Sequence, residues 1–251
     1  YSLGGEGHLA IESIQGLSPF DRRMSSNRLT ADDCTEAVAA QLSKNYFRGL
    51  KDSQGRFVSN EFFSNGVRFL EKTPKNALRI PFLKKAFPAA RFIFLYREPR
   101  QNISSIIEAW KSGKFVTYPN LDGWPGLPWS LLLIPGWKDL KSASLPHIAL
   151  RQWHDANHMI ITDLEEISER DWIKINYKDL VMNKFSVLKK ICDFIEIPFD
   201  EDYKNKLLSK NNFSQSTLTN PDENKWKINA AGIEPLIKNL DILWERIDHA
   251  R

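Results

Sequence analysis

One short segment constrains the fold more than any other. The run Arg91–Tyr96 is almost continuously apolar and aromatic, and Arg97 and Pro99 follow it closely. A strand this apolar is typical of a parallel sheet that is covered on both faces. Pro99 suits the first turn of a helix, because its fixed φ fits there and its missing N–H would have no partner within the helix. The segment therefore predicts a buried strand that ends at Arg97, followed by a helix from Pro99 to about Trp110.

Strands and helices alternate along the rest of the chain. Two further strands are predicted from short apolar runs, at Val67–Leu70 and Trp172–Tyr177. Helices are predicted where apolar residues recur at helical spacing, namely from Thr30 onward, Pro74–Phe87 with a disturbance at Pro81, Leu145–Ile167, Asn183–Ile195 and Glu234–His249. Residues 1–20 and 53–66 are predicted loops. Alternation of this kind predicts an α/β fold with three layers around a mainly parallel sheet.

Length and composition narrow the classes of function. The chain has 251 residues, which suit one domain over residues 1–251, and a net charge of +4 from 35 basic and 31 acidic residues. This charge is too mild for nucleic-acid binding but suits a small anionic ligand. No apolar run is long enough to span a membrane.

The cysteines and histidines give no basis for a metal site. Cys34 and Cys192 are expected to be buried thiols, since two cysteines provide neither a disulfide framework nor a zinc site. A cytoplasmic location is therefore expected. His154 and His158 share a helix face, but no third ligand is evident, so no metal is expected.

The carboxyl end of the first predicted strand is a candidate phosphate site. Ligands bind beyond this edge in open parallel sheets, and the free N–H groups at a helix start favour an anion. Arg97 offers a planar fork of donors that suits phosphate, and Ser105 offers a hydroxyl in the second turn of the helix. The alternative is that Arg97 pairs with Glu98 or another surface carboxylate and that Ser105 has no role. Spacing alone does not decide between them.

This pattern resembles a known motif. An apolar strand, Arg, any residue, Pro, and Ser eight positions after the Arg is similar to the 3′-phosphate-binding motif of sulfotransferases that use 3′-phosphoadenosine 5′-phosphosulfate (PAPS). Four further elements follow the order of that family: Glu-Lys-Thr-Pro-Lys-Asn at residues 71–76, Tyr-Lys-Asp-Leu at 177–180, Ile-Pro-Phe-Asp at 197–200, and Ser216-Thr217 with Lys225-Trp226. The resemblance covers almost the whole chain and is closest to a bacterial-type subgroup with Thr-Pro-Lys-Asn and a long insertion rich in Trp and Pro.

The resemblance implies a fold, a reaction and a cofactor site. The fold is the three-layer, P-loop-NTPase-like α/β fold of sulfotransferases. The reaction moves a sulfuryl group from PAPS to an acceptor, expected to be a hydroxyl, and leaves PAP. Arg97 and Ser105 then hold the 3′-phosphate, while Thr217, Lys225 and Trp226 close over the adenosine. The acceptor stays open and could be a small alcohol, a glycan, a lipid, a polyketide or a protein side chain.

Sulfuryl transfer needs a base for the acceptor proton and cations for the charge that develops. Glu6 and His8 are the candidate bases, because residues 4–8 resemble the stretch that faces the acceptor in related enzymes. The alternative is a loop whose polar groups bond only to backbone. Lys72 is the candidate electrophilic partner, and its alternative is a solvated lysine.

The irregular stretch at residues 115–140 contains Trp124, Trp129 and Trp137. These rings are expected either to line an acceptor pocket or lid, or to pack on one another as a closed loop.

One departure from the family pattern concerns the amino-terminal end. Members begin with a strand and a loop rich in Gly, Ser and Thr that holds the 5′-phosphosulfate, and nothing from Tyr1 onward matches it. A segment before Tyr1 is expected to carry this loop. The alternative is a nucleotide-binding module that kept the fold and lost the chemistry.

Overall fold

The computed structural model describes residues 1–3, 7–52, 54–58, 67–209, 222–237 and 240–250. The chain forms two compact units, each assembled from separate stretches of sequence. The first contains residues 1–90, 115–143 and 155–163, and the second contains residues 91–114, 144–154 and 164–251. The prediction of one sulfotransferase domain over the whole chain stays a prediction.

Helices dominate both units. In chain order they are α1 His8–Glu12, α2 Glu36–Gly49, α3 Ile80–Ala86, α4 Pro99–Ser112, α5 Leu145–Glu165, α6 Tyr177–Met182, α7 Lys184–Phe194, α8 Glu201–Ser209, α9 Ala230–Ile237 and α10 Asp241–His249. The strands are β1 Phe92–Tyr96, β2 Val116–Tyr118, β3 Trp129–Ser130 and β4 Trp172–Asn176. Short 3₁₀ turns connect several of them.

The strand that the sequence marks most clearly forms at the predicted residues, but it is not covered on both faces, because Leu95 is 49% exposed. In the second unit β1 pairs with β4 in parallel, from Phe92 opposite Trp172 to Tyr96 opposite Asn176. The predicted α/β fold with a parallel sheet is therefore confirmed. In the first unit β2 and β3 form a small antiparallel pair.

The predicted strand Val67–Leu70 is wrong. Leu70 makes only an isolated bridge with Ser2, where its N–H donates to the carbonyl of Tyr1 at 2.9 Å. Leu70 is also 64% exposed, so no packed sheet face holds this segment in a longer ladder.

Several predicted helix boundaries also change. Thr30 begins a 3₁₀ turn rather than a helix, and α2 starts later, where the hydroxyl of Thr35 accepts from the N–H of Val38 at 3.2 Å. The predicted helix at residues 74–87 breaks at Arg79. Pro81 does not disturb it, because it lies in the first turn of α3, where a missing N–H costs nothing.

Two predictions fail at the chain ends. The predicted loop at residues 1–20 contains α1, and the predicted last helix is two helices, α9 and α10. The five residues of α1 are too few to show the helical periodicity on which sequence prediction depends.

The core of the first unit fixes α1 in place. Ile11 is fully buried in a cluster with Leu42 and Tyr46 of α2 and Phe82 of α3. Full burial of an apolar side chain stabilises a fold by about 1.5–3 kcal/mol. Packing therefore gives α1 a defined position although its own backbone bonds are few.

Within the part of the chain that the structure describes, no helix is long and apolar enough to cross a membrane. The same residues contain no cluster of three or more potential metal ligands. Cys34 and Cys192 are free and buried, as predicted. The cytoplasmic location stays a prediction.

Candidate active site

Arg97 is the first residue beyond β1 and lies half-buried in the second unit. Its guanidinium carbon lies 5.0 Å from the centroid of the Tyr177 ring, and its Nε donates to Oε1 of Gln101 at 3.2 Å. Burial lowers the pKa of Arg97, while Tyr177 and Glu98 raise it. An arginine keeps its charge under such conditions. Among the described residues no carboxylate lies within ion-pair distance of Arg97, so its terminal N–H groups can serve an anion.

Glu98, the partner that the alternative interpretation gave to Arg97, is engaged elsewhere. It caps α4, because its carboxylate accepts from the N–H of Gln101 at 2.9 Å. It also forms an ion pair with Arg100 at 3.3 Å. Of the two arginines near the start of α4, Arg100 therefore forms the ion pair with Glu98 and Arg97 does not.

Two adjacent serines in α4 have different surroundings. Ser104 is buried, and its hydroxyl accepts from Nδ2 of Asn229 at 2.9 Å. Ser105, the predicted phosphate ligand, is exposed on the helix surface. Its hydroxyl is accessible, and its role stays a prediction.

The predicted nucleotide loop lies against α4. Lys225 and Trp226 begin a 3₁₀ turn that ends at Asn229. The guanidinium carbon of Arg100 lies 5.8 Å from the Trp226 ring centroid, and Nε of Arg100 bonds to Glu234 at 3.2 Å. The turn therefore packs against α4 through the contact of Trp226 with Arg100.

Thr217, the third residue predicted to close over the adenosine, lies outside the described residues. In the second unit Arg97 lies two residues before the start of α4, Ser105 is the seventh residue of α4, and Trp226 lies by Arg100 in its first turn, with Lys225 directly before Trp226. Their binding roles stay predictions.

The candidate acid–base residues belong to the first unit. His8 is the first residue of α1 and is half-buried, and Lys72 is exposed. Glu6 lies outside the described residues. The catalytic roles of all three stay predictions.

Gly7 joins the segments that carry His8 and Lys72. Its N–H donates to Oε1 of Glu71 at 3.0 Å and to Oγ1 of Thr73 at 2.8 Å. A Cβ at Gly7 would lie 2.5 Å from Oε1 of Glu71, so only glycine allows this approach. The structure therefore brings the two predicted catalytic segments together through residues directly adjacent to His8 and Lys72.

Part of the chain is similar to a known protein family. The model of the sulfotransferase family matches residues 11–124, a range that includes Lys72, Arg97 and Ser105. The matched range is 114 of the 251 residues, and over this range the chain is similar to the sulfotransferase family. The predicted resemblance to sulfotransferases is thereby confirmed, while the narrower Glu-Lys-Thr-Pro-Lys-Asn subgroup stays a prediction.

Two relatives show how far the similarity extends. Protein-tyrosine sulfotransferase A of Caenorhabditis elegans is 22% identical over 134 residues, which are 53% of this chain and 29% of that protein. The chain thus matches less than a third of that relative. The solved sulfotransferase domain from the curacin biosynthetic pathway is 19% identical, with a TM-score of 0.40, over 68% of this chain and 53% of the domain.

The three tryptophans of the irregular stretch at residues 115–140 pack on one another. Their ring centroids are 4.8 Å apart for Trp124 and Trp129, 5.9 Å for Trp129 and Trp137, and 6.2 Å for Trp124 and Trp137. Each indole N–H donates to a backbone carbonyl, of Leu127, Leu132 and Met24 respectively. Trp129 and Trp137 are almost fully buried, whereas Trp124 is half-buried. Their role in acceptor binding stays a prediction, and Trp124 has the most accessible ring.

Sequence reasoning missed a buried ionic cluster beside α1. Oε1 of Glu12 accepts from Nζ of Lys75 at 2.9 Å and from Nη2 of Arg79 at 2.6 Å. Lys75 belongs to the Glu-Lys-Thr-Pro-Lys-Asn segment, in which only Lys72 was predicted as a site residue. In the predicted helix at residues 74–87, the four-residue spacing of Lys75 and Arg79 puts both cations on one face, and this was the available signal.

A groove of about 460 Å³ runs along β4 in the second unit. Tyr96 and Asn176, the last residues of the two paired strands, are among its lining residues. The groove therefore reaches the carboxyl edge of the sheet, where ligands of α/β proteins bind.

Proposed function

We propose that this protein is a sulfotransferase that transfers a sulfuryl group from PAPS to an acceptor hydroxyl. The observation that carries the proposal is Arg97, a half-buried cation at the carboxyl end of a parallel strand with no carboxylate partner among the described residues. This is the arrangement that a phosphate needs, because the cation is positioned in advance and no ion pair must break. The family match over residues 11–124 supports sulfuryl transfer as the chemistry.

The reaction conserves atoms and charge. The acceptor oxygen forms a bond to the sulfur of PAPS while the bond between sulfur and the 5′-phosphate oxygen breaks. The electron pair of the broken bond leaves on PAP, and the acceptor proton passes to a base. The products are a sulfate ester, PAP and one proton.

Each predicted residue has a defined part in this proposal. Arg97 and Ser105 bind the 3′-phosphate, and Thr217, Lys225 and Trp226 bind the adenosine end. The base is Glu6 or His8, since either side chain can accept a proton from a hydroxyl.

Lys72, whose side chain is exposed, stabilises the transferring sulfuryl group through its ammonium charge. Trp124 forms a wall of the acceptor pocket, and the buried Trp129 and Trp137 hold its ring in place. No metal takes part. The tyrosine sulfotransferase suggests one class of acceptor, a phenol such as a tyrosine side chain, and an aliphatic hydroxyl is the other class to be tested.

Calorimetry and turnover of the full-length protein test the proposal. PAP should bind more tightly than AMP, because only PAP carries the 3′-phosphate. Labelled PAPS should transfer its sulfuryl group to N-acetyltyrosine amide or to methyl 3-hydroxyhexanoate. Equal affinities for PAP and AMP would refute the nucleotide assignment. Tight PAP binding without transfer to any hydroxyl would instead support the silent nucleotide-binding module.

A further inference from the structure

The helix α1, which carries His8, is too short to be stable by itself. It has five residues, from His8 to Glu12, whereas isolated helices shorter than about 12–15 residues are marginal in water. Its position must therefore come from contacts with the rest of the first unit.

Both ends of α1 are bound to the same segment of the chain. At its amino end, the N–H of Gly7 donates to Glu71 and Thr73. At its carboxyl end, Glu12 accepts from Lys75 and Arg79. Residues 71–79 thus hold α1 at two points.

The contacts at the carboxyl end are buried. Arg79 has no exposed surface, and Lys75 is 8% exposed. Nε of Arg79 donates to the carbonyl of Asn27 at 3.2 Å, while its Nη1 has no hydrogen-bond partner in the described part of the chain. Removing one member of a buried ion pair is strongly destabilising, because the remaining charge is left in a poorly solvated place.

The carboxylate of Glu12 faces both cations at once. Nζ of Lys75 lies 2.9 and 3.0 Å from its two oxygens, and Nη2 of Arg79 lies 2.6 Å from Oε1. Glu12 and His8 are four residues apart, so they lie on the same face of α1. Any rotation or shift of the helix that loosens Glu12 therefore also moves His8.

We propose that Glu12 is a positioning residue of the active site, which uses Lys75 and Arg79 to hold His8 in register with the segment that carries Lys72. The inference rests on the proposed function for the role of His8 and Lys72. Its structural part, that Glu12 fixes α1, is measurable separately.

The matched control is a second buried ion pair in the same unit. Oδ1 of Asp163 in α5 accepts from Nη2 of Arg28 at 2.7 Å, and Asp163 is 7% exposed. Asp163→Asn therefore removes a comparably buried carboxylate charge without touching Glu12, Lys75 or Arg79.

The first measurement is amide hydrogen exchange, which needs no activity. In α1 the N–H of Ala10 bonds to the carbonyl of Gly7 and the N–H of Ser13 to that of Leu9, both at 3.0 Å. In Glu12→Gln these amides should exchange at least about tenfold faster, while amides of α4 stay unchanged. Glu12→Asp, which keeps the charge with a shorter reach, should give an intermediate rate. If Glu12→Gln does not fold, Glu12→Asp alone decides the question.

The second measurement is turnover of PAPS with N-acetyltyrosine amide and methyl 3-hydroxyhexanoate. Glu12→Gln should lower kcat by about 10–100-fold with little change in KM for PAPS, because a misplaced base slows the chemical step more than binding. Glu12→Asp should recover part of the loss, and Asp163→Asn should leave kcat unchanged.

Different results would overturn the anchoring of α1 and the positioning of His8. Unchanged exchange in α1 of a folded Glu12 variant would overturn the anchoring of the helix. Equal loss of kcat in Glu12→Gln and Asp163→Asn would show a general effect on folding and overturn the positioning role. A wild-type protein that transfers no sulfuryl group would refute the proposed function, and with it the catalytic role of Glu12, while the exchange rates would still decide the structural role.

Discussion

Two arginines flank β1, and their surroundings differ. Arg91, before the strand, pairs with Glu196 at 2.6 Å and also donates to the carbonyl of Phe194. Arg97, after the strand, lies over Tyr177 with no carboxylate within ion-pair distance among the described residues. A cation already neutralised by a carboxylate gains less from an anionic ligand than one that is not. The carboxyl end of β1 is therefore the end suited to phosphate.

This contrast predicts the outcome of a pair of substitutions. Arg97→Ala should weaken PAP binding by about 1.5–3 kcal/mol, the usual value of hydrogen bonds to a charged group. Arg91→Ala should leave PAP affinity unchanged. Isothermal titration calorimetry with PAP measures both, and the same titration with AMP shows whether the loss concerns the 3′-phosphate. Equal losses in the two variants would contradict the assignment of Arg97.

At the scale of elements, the contact between α1 and residues 71–73 depends on a missing side chain. A Cβ at Gly7 would lie 2.5 Å from Oε1 of Glu71. That oxygen also accepts from the hydroxyl of Thr73, so the carboxylate is not free to move aside. At Gly49, the last residue of α2, a Cβ would meet only the flexible end of Leu3, at 2.9 Å.

Alanine at these two glycines should have opposite effects. Gly7→Ala should destabilise the protein by about 1–3 kcal/mol, the usual cost of overpacking. Gly49→Ala should be neutral or stabilise it by up to about 1 kcal/mol, because alanine favours helix over glycine. Urea unfolding followed by circular dichroism measures both. A Gly7→Ala variant as stable as Gly49→Ala would mean that α1 can move away from residues 71–73 without cost.

At the scale of the whole molecule, the buried cluster at Glu12 links stability to pH. Burial alone would raise the pKa of Glu12, but hydrogen bonds from Arg79 and Lys75 and the charges of both hold it below its ordinary value of 4.5. A carboxyl with a lowered pKa in the folded state stabilises the fold above its ordinary pKa. That contribution is lost as the pH falls through the folded-state value.

Wild-type stability should therefore fall below about pH 4.5, and Glu12→Gln should show a shallower fall over the same range. Glu196→Gln is the control, because the side chain of Glu196 is 60% exposed and its ion pair with Arg91 contributes little. Its acid dependence should match that of the wild type. Unfolding by urea at pH 3 to 7 provides the curves, and parallel curves for wild type and Glu12→Gln would contradict the linkage.

Much of the second unit could be predicted from the sequence. The positions of β1 and β4 follow from local apolar runs, and the start of α4 follows from the fixed φ of Pro99. Both signals lie in residues that are close together in the sequence. Arg97 was placed at the strand end for the same reason. The first unit was harder, because α1 is too short for periodicity and the segment at Leu70 pairs with Ser2, a residue far away in the sequence.

The sequence by itself determined the α/β class, the strand that ends at Arg97 and the resemblance to sulfotransferases, since each depends on residues close together along the chain. Only the tertiary structure decided which cation near residues 72–79 is buried. Lys72 is exposed, whereas Lys75, three residues later, bonds to Glu12 across 63 positions of sequence. Burial depends on which distant segments pack together, and a single amino-acid sequence does not show the packing partners of a side chain.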